Sequence, residues 1–224
     1  MSATTGGTQG TQRSGDERLR RALDLVIAVP AVILTAPVIA VLAWRIRRES
    51  PGGALYKQVR AGRDGRPFEI YKLRTMVKDA EFQGAGLAVL QGDSRITPTG
   101  ALLRRYSLDE LPNLWNVVRG EMSVVGPRPT LPAQTEQYTA HQRRRLEVAP
   151  GITGWAQVNG RAALPWSERI ELDVWYVEHR SLWLDVRILL RTVAMVLGGH
   201  GLYNSELSGG VDLGGDSPPP TPRG

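Results

Sequence analysis

Two adjacent carboxylates, Asp109 and Glu110, lie in the segment Tyr106-Ser-Leu-Asp-Glu-Leu-Pro112. A carboxylate can attack phosphorus to give an acyl phosphate, and helix N-termini attract phosphate groups. A hard cation such as Mg²⁺ would shield an anionic nucleophile from an anionic diphosphate. A plainer reading competes with this one. Ser107-x-x-Glu110 has the form of a capping box, in which the acids only favour a first helical turn. Cations are plentiful around the pair: Lys72, Arg74, Arg95, Arg104, Arg105, Arg119, Arg128 and Arg161. Phosphoryl transfer needs such groups to neutralise the transferring oxygens, although any one surface arginine is ordinarily solvated. In Gly126-Pro127-Arg128-Pro129 two prolines fix the backbone around one arginine, which lowers the entropy lost in presenting it. A rigid structural turn is the alternative there.

Other chemistries are excluded by what the chain lacks. It has no cysteine, so a disulfide framework, a cysteine-ligated zinc and a cysteine nucleophile are ruled out. It has no Gly-x-x-x-x-Gly-Lys loop, no Gly-x-Ser-x-Gly elbow and no His-Glu-x-x-His. His141, His179 and His200 show no ligand spacing. The net charge of +6 and a pI near 10.0 point to an anionic partner: nucleic acid, lipid headgroups or a phosphorylated substrate. No nucleic-acid recognition motif is present, and that class leaves the longest apolar run unexplained. No nucleic-acid partner is therefore expected.

That run, Leu25 to Trp44, carries no charge and is long enough to cross a bilayer as a helix. Both flanks are basic, with Arg18, Arg20 and Arg21 before and Arg45, Arg47 and Arg48 after. The positive-inside rule is met on both sides only if the segment dips in and returns. Pro37, near its middle, removes a backbone N–H and bends a helix, and Pro30 adds a second weak point. On residues alone, a bent re-entrant hairpin and a kinked straight span stand level.

The remainder reads as a cytosolic α/β domain. Ala54 to Arg74 has the pattern of two short strands around a turn at Arg63-Asp64-Gly65-Arg66. Gly100 to Gly120 reads as helical, Gln134 to Val148 as a polar helix, and Pro150 to Gly154 as a loop. Ser167 to Leu197 is expected to be helical in two segments. The second, Trp183 to Leu197, suits either the core or a membrane interface. Residues 1–16 and the Gly/Pro/Ser-rich C-terminal stretch lack the apolar content to fold.

Seven strings occur in order: Arg20-Arg21-Ala-Leu-Asp24; Tyr71-Lys-Leu-Arg-Thr-Met76; Gly92-Asp-Ser-Arg-Ile-Thr97; Ser107-Leu-Asp-Glu-Leu-Pro-Asn-Leu-Trp-Asn116; Met122-Ser-Val-Val-Gly-Pro-Arg-Pro129; Pro150-Gly-Ile-Thr-Gly-Trp-Ala-Gln-Val-Asn-Gly-Arg161; and Leu172-Asp-Val-Trp-Tyr-Val177. Together they resemble the bacterial sugar transferases, specifically the monotopic polyprenyl-phosphate phosphoglycosyl transferases. The resemblance implies a mainly helical α/β cytosolic domain, an N-terminal re-entrant membrane helix hairpin and interfacial amphipathic helices. It implies a tail at 1–16, the membrane helix at 17–48, a catalytic domain at 49–205 and a second tail at 206–224. It further implies transfer of a phosphosugar from a UDP-sugar to polyprenyl (undecaprenyl) phosphate with release of UMP, the initiating step of a bacterial surface or protein glycan. Asp109 would be the nucleophile, with a covalent aspartyl-phosphosugar intermediate. Glu110 would assist the second half-reaction, and both acids are tentative Mg²⁺ ligands. Lys72, Arg104, Arg128 and Arg161 would contact phosphates, while Asp173 and Asp185 match further family acids. The implied location is the cytoplasmic face of the bacterial inner membrane, in contact with lipid, and a homodimer is possible. One departure stands out. Where the family breaks its membrane helix at Ser-Pro, this chain has Ala36-Pro37, leaving Thr35 as a substitute hydroxyl. Larger members carry extra upstream segments, so the chain looks like the minimal catalytic form.

Overall fold

The computed structural model describes residues 7–83, 93–160 and 164–198. Of the expected tails, residues 1–6 and all of 206–224 lie outside these, and the rest of the N-terminal tail runs into the first helix. That helix, α1, spans Gly7–Glu49 and contains both Pro30 and Pro37. It is continuous, and no turn divides it into the two arms of a hairpin. Each proline deletes one N–H and so frees one carbonyl, four residues earlier, at Val26 and Ile33. Thr35 Oγ1 donates to Ala31 O at 2.6 Å. That carbonyl is not one a proline frees, so Thr35 does not replace the serine in the expected way.

Both ends of α1 are fastened to the same globular domain. Near the start, Asp24 accepts from Ser123 Oγ at 2.9 Å and from Val124 N at 2.8 Å. Arg21 donates to Val118 O at 2.7 Å, Arg20 pairs with Asp185, and Ala28 is fully buried. Near the far end, Ile46 packs with Ala54, Leu73 and Leu103. Arg45 Nε donates to Thr99 Oγ1, and Glu49 accepts from Thr99 N, each at 3.0 Å. Between these anchors, Val26, Ile33, Leu34 and Val41 are each more than 60% exposed.

Strands β1 (Leu55–Ala61) and β2 (Pro67–Leu73) form the expected antiparallel hairpin, pairing Leu55 with Leu73 and Ala61 with Pro67. Asp64 (φ 57°) and Gly65 (φ 75°) make its turn in the left-handed region, which Asp tolerates and Gly favours. The stretch Gly100 to Gly120 is not one helix. Helix α2 (Pro98–Arg105) starts at Thr97, whose Oγ1 accepts from Gly100 N, with Pro98 in the first turn. A 3-10 turn, Leu108–Asn113, follows, then α3 (Leu114–Arg119), which Gly120 ends at φ 82°. Strand β3 (Ser123–Val125) pairs in parallel with β4 (Gly151–Thr153), so the expected Pro150–Gly154 loop holds a strand. Three residues are too few to show a period of two. Gln134 to Val148 is likewise broken, into α4 (Pro132–Glu136), α5 (Ala140–Arg143) and a 3-10 turn at Arg144–Leu146. Helix α6 (Trp155–Asn159) precedes the two expected C-terminal helices, α7 (Trp166–His179) and α8 (Leu182–Leu197).

The main core joins Ile70, Val117, Met122, Val124, Val125, Tyr176, Leu184 and Ile188 to Ala28 of α1. Helix α8 is apolar on two faces. Leu184 and Ile188 point into this core, while Trp183, Val186, Leu190, Val193 and Leu197 form an exposed stripe at three- and four-residue spacing.

The β3–β4 contact leaves no room for a side chain. A Cβ on Gly151 would lie 2.1 Å from Gly126 N and 2.4 Å from Thr153 O, both of them backbone atoms. Gly151→Ala is therefore expected to destabilise the protein by about 1–3 kcal/mol, read as a lower melting temperature in detergent.

Candidate active site

The capping-box reading of Ser107 and Glu110 fails. Ser107 sits in the left-handed region at φ 54° and its side chain makes no capping bond. The 3-10 turn it precedes packs on β2, where Asn113 Oδ1 accepts from Tyr71 N at 3.1 Å. This docking turns both carboxylates inward, and Asp109 and Glu110 are each 4% exposed. Glu110 Oε1 accepts from Lys72 Nζ at 3.0 Å and lies 3.4 Å from Arg128 Nη2. Lys72 comes from β2, and Arg128 from the Gly126–Pro129 turn after β3. Asp109 Oδ1 is buried with no hydrogen-bond partner. Arg104, on α2, donates Nε to Thr75 Oγ1 at 2.9 Å, and its charge acts on Asp109.

The two acids are driven in opposite directions. Burial, and then the charge of Glu110, push the Asp109 carboxyl up to about 6, against the pull of Lys72 and Arg104. Burial also raises Glu110, but Lys72 and Arg128 together outweigh it and hold that carboxyl below its ordinary value. Lys72 is lowered by burial, with Glu110 opposing. The site thus pairs a settled anion, Glu110, with a high-energy anion, Asp109, under positive charge. A desolvated carboxylate of this kind suits attack on an electrophile that brings further negative charge only because cations surround it.

Of the residues singled out from sequence, Asp109, Glu110, Lys72 and Arg128 come together, and Arg104 stands beside them. Arg161 lies outside the described residues. Other cations have structural posts: Arg74 bonds Ser50 O and Pro51 O, and Arg95 bonds Asp93, Ala80 O and Gln83 O. Asp173 forms a buried pair with Arg145, and Asp185 joins Arg20 to Tyr176 Oη. Arg60 was not legible as part of this region. It is 4% exposed on β1, beside Pro129 O at 3.4 Å, whereas the apolar Leu55 and Val59 face out at 48% and 50%. A hydrophobic-in reading of that strand has the faces reversed.

For a metal, the site offers the Asp109 carboxylate. Among the described residues no group of three His, Cys, Asp or Glu side chains is placed to hold an ion. The unpartnered Asp109 Oδ1 fits a cation that takes its other ligands from phosphate, as Mg²⁺ commonly does.

The family model described as bacterial sugar transferase matches residues 15–199. The chain belongs to the bacterial sugar transferase family. This transferase is 45% identical over 188 residues to the uncharacterized sugar transferase EpsL of Bacillus subtilis, covering 84% of the chain and 92% of that protein. It is 43% identical over 187 residues to a UDP-glucose:undecaprenyl-phosphate glucose-1-phosphate transferase of Caulobacter vibrioides, covering 80% of the chain and 69% of the relative. The enzyme of the same name from Escherichia coli is 41% identical over 192 residues, which are 82% of the transferase but 41% of the relative. The transferase therefore spans less than half of some curated relatives, about two thirds of the Caulobacter one and nearly all of EpsL.

Proposed function

We propose that this transferase moves a sugar 1-phosphate from a UDP-sugar to a polyprenyl phosphate at the membrane, releasing UMP. The observation that carries the reading is the buried Asp109 carboxylate, one oxygen unpartnered, set beside Glu110 and under Lys72, Arg104 and Arg128. The relatives from Caulobacter and Escherichia coli are named for glucose 1-phosphate transfer to undecaprenyl phosphate, which supports the reaction class.

In the first half-reaction an Asp109 carboxylate oxygen attacks the β-phosphorus. The bond from that phosphorus to the bridging oxygen breaks, and UMP departs with the electron pair. In the second, an oxygen of the polyprenyl phosphate attacks the same phosphorus, the acyl phosphate bond breaks, and the Asp109 carboxylate returns. Lys72 and Arg128 place positive charge where the phosphoryl oxygens gather negative charge, while Glu110 opposes the loss of charge on Lys72 and holds both side chains in place. Mg²⁺, held by Asp109 and substrate oxygens, would supply further charge neutralisation.

The same reading places the chain on one face of the membrane. From Asp24 to Ile46 a helix rises roughly 33 Å, about a hydrocarbon thickness. A straight crossing would put these two anchors on opposite sides, yet both are fixed to one domain. An α1 that stays helical but bends at Pro30 and Pro37 would enter and leave a single leaflet and so satisfy both anchors, and the exposed stripe of α8 suits the adjoining interface. The chain has no cysteine, so single cysteines report cleanly. Leu19→Cys and Arg48→Cys are both expected to label with a membrane-impermeant thiol reagent from the cytoplasmic side, and Leu34→Cys from neither side. Labelling of positions 19 and 48 from opposite sides would remove the re-entrant reading.

Nucleotide release tests the chemistry. Purified protein with Mg²⁺, polyprenyl phosphate and a panel of UDP-sugars is expected to yield UMP. UDP in its place would mean transfer of the sugar without its phosphate and would end the Asp109 mechanism.

A further inference from the structure

Arg128 sits on the Gly126–Pro129 turn, and the carbonyls of that turn are held one after another. Gly151 N donates to Pro127 O at 2.8 Å, Arg145 Nη2 to Arg128 O at 3.1 Å and Arg60 Nη1 to Pro129 O at 3.4 Å, and just beyond the turn Ala61 N donates to Thr130 O at 2.8 Å. Prolines 127 and 129 cannot donate backbone hydrogen bonds of their own. Gly126 N is tied to Thr153 O at 2.9 Å, and beyond that residue the path of the turn depends on what grips its oxygens. Of these grips, Arg145 alone acts on the carbonyl of the residue whose side chain reaches Glu110.

Arg145 is itself held through both terminal nitrogens. It is 2% exposed and forms an ion pair with Asp173, which is 1% exposed. Its Nη1 donates to Tyr138 Oη at 2.7 Å, and that hydroxyl donates on to Thr130 Oγ1 at 3.2 Å. Its guanidinium lies 5.3 Å from the Trp166 ring centroid and 5.7 Å from that of Tyr138. A buried cation this constrained is costly to keep. A fork with fixed donors can bond Asp173, Tyr138 and Arg128 O together; the point charge of a lysine cannot.

We propose that Arg145, anchored by Asp173, is a positioning residue that sets the turn carrying Arg128, and so aims the Arg128 guanidinium at the reacting phosphates. The inference rests on the sugar-phosphate transfer reading above. Arg145 touches no substrate in this account and acts wholly through Arg128.

Full-length wild type, Arg145→Lys, Arg128→Lys and the double variant are compared in detergent, below the melting temperature of each. Two readouts are taken. In the UMP-release assay Arg145→Lys is expected to lower kcat/KM by about tenfold or more, since small misplacements of a phosphate-holding group cost that much. Its division between kcat and KM should copy that of Arg128→Lys, and the double variant should be no worse than Arg128→Lys alone. Losses that multiply in the double variant, or a lower melting temperature with unchanged kcat and KM, would show a purely structural arginine and overturn the proposal. In the second readout, amide hydrogen exchange of peptides covering 126–131 should quicken about tenfold in Arg145→Lys, with the β1–β2 hairpin unchanged. Unchanged exchange in that turn would overturn the proposal even if the wild type released no UMP, an outcome that would instead sink the functional reading.

Discussion

Asp109→Asn is expected to abolish UMP release and to raise the melting temperature at neutral pH. Both effects follow from one fact: the Asp109 carboxyl is buried beside Glu110, and its proton affinity rises from the usual 3.8 to about 6. The folded state therefore binds the proton more tightly than the unfolded chain does. By linkage, the stability this group contributes is full below pH about 4 and is lost as pH rises through about 6. At pH 7.5 the wild type carries a charge that its surroundings disfavour by on the order of 1–3 kcal/mol, and the neutral amide removes it. A gain of several degrees is the expected reading for a chain of this size, shrinking toward zero at pH 4. Wild-type turnover should fall as pH drops through about 6, because the protonated acid is no nucleophile. Turnover in the Asn variant would end the nucleophile assignment, and a lower melting temperature would contradict the electrostatics.

The neighbouring substitution should act in the opposite sense on stability. Glu110→Gln removes a carboxylate that accepts from both Lys72 and Arg128. Those side chains are 16% and 23% exposed, and water screens them only in part. Breaking a buried pair from one side typically costs about 3–5 kcal/mol, and partial exposure places this case toward the lower end. A fall in melting temperature of about 10 °C is expected, together with a large loss of UMP release as the cations lose their alignment. Two adjacent acids with opposite signs of stability change would identify one as the strained, reactive group and the other as its support. If Glu110→Gln melted at or above the wild type, the ion-pair account of this site would be wrong.

The sequence carried the β1–β2 hairpin because turn chemistry at Asp64-Gly65 is local. It carried α7 and α8 because their apolar spacing runs for many residues. It also carried Asp109, Glu110, Lys72 and Arg128, though by motif resemblance more than by periodicity. The helix expected over Gly100 to Gly120 failed because Ser107 turns left-handed, a choice imposed by docking the Leu108–Asn113 turn on β2. Strand β4 was hidden by its length. Arg60 and Arg145 were hidden for another reason: a buried arginine is explained only by distant partners, here Pro129 O, Arg128 O and Asp173. At Pro37 the sequence left a kinked span and a re-entrant hairpin level, because one missing donor lets a helix either run on or bend.

The clasp on α1 also has a history in time. Asp24 meets Ser123 and Val124 across 99 and 100 residues of chain, and Arg20 meets Asp185 across 165. At ribosomal rates of roughly 5–20 residues per second, the apolar helix waits about 10–30 s for its last partner to be made. On the re-entrant reading proposed above, it leaves the ribosome as an apolar segment before its domain exists, so the bilayer would be its first binding partner and the enzyme would assemble afterwards onto a helix already in lipid. A nascent chain stopped short of Asp185 would lack the Arg20 pair but would already contain the partners of Asp24 and Ile46.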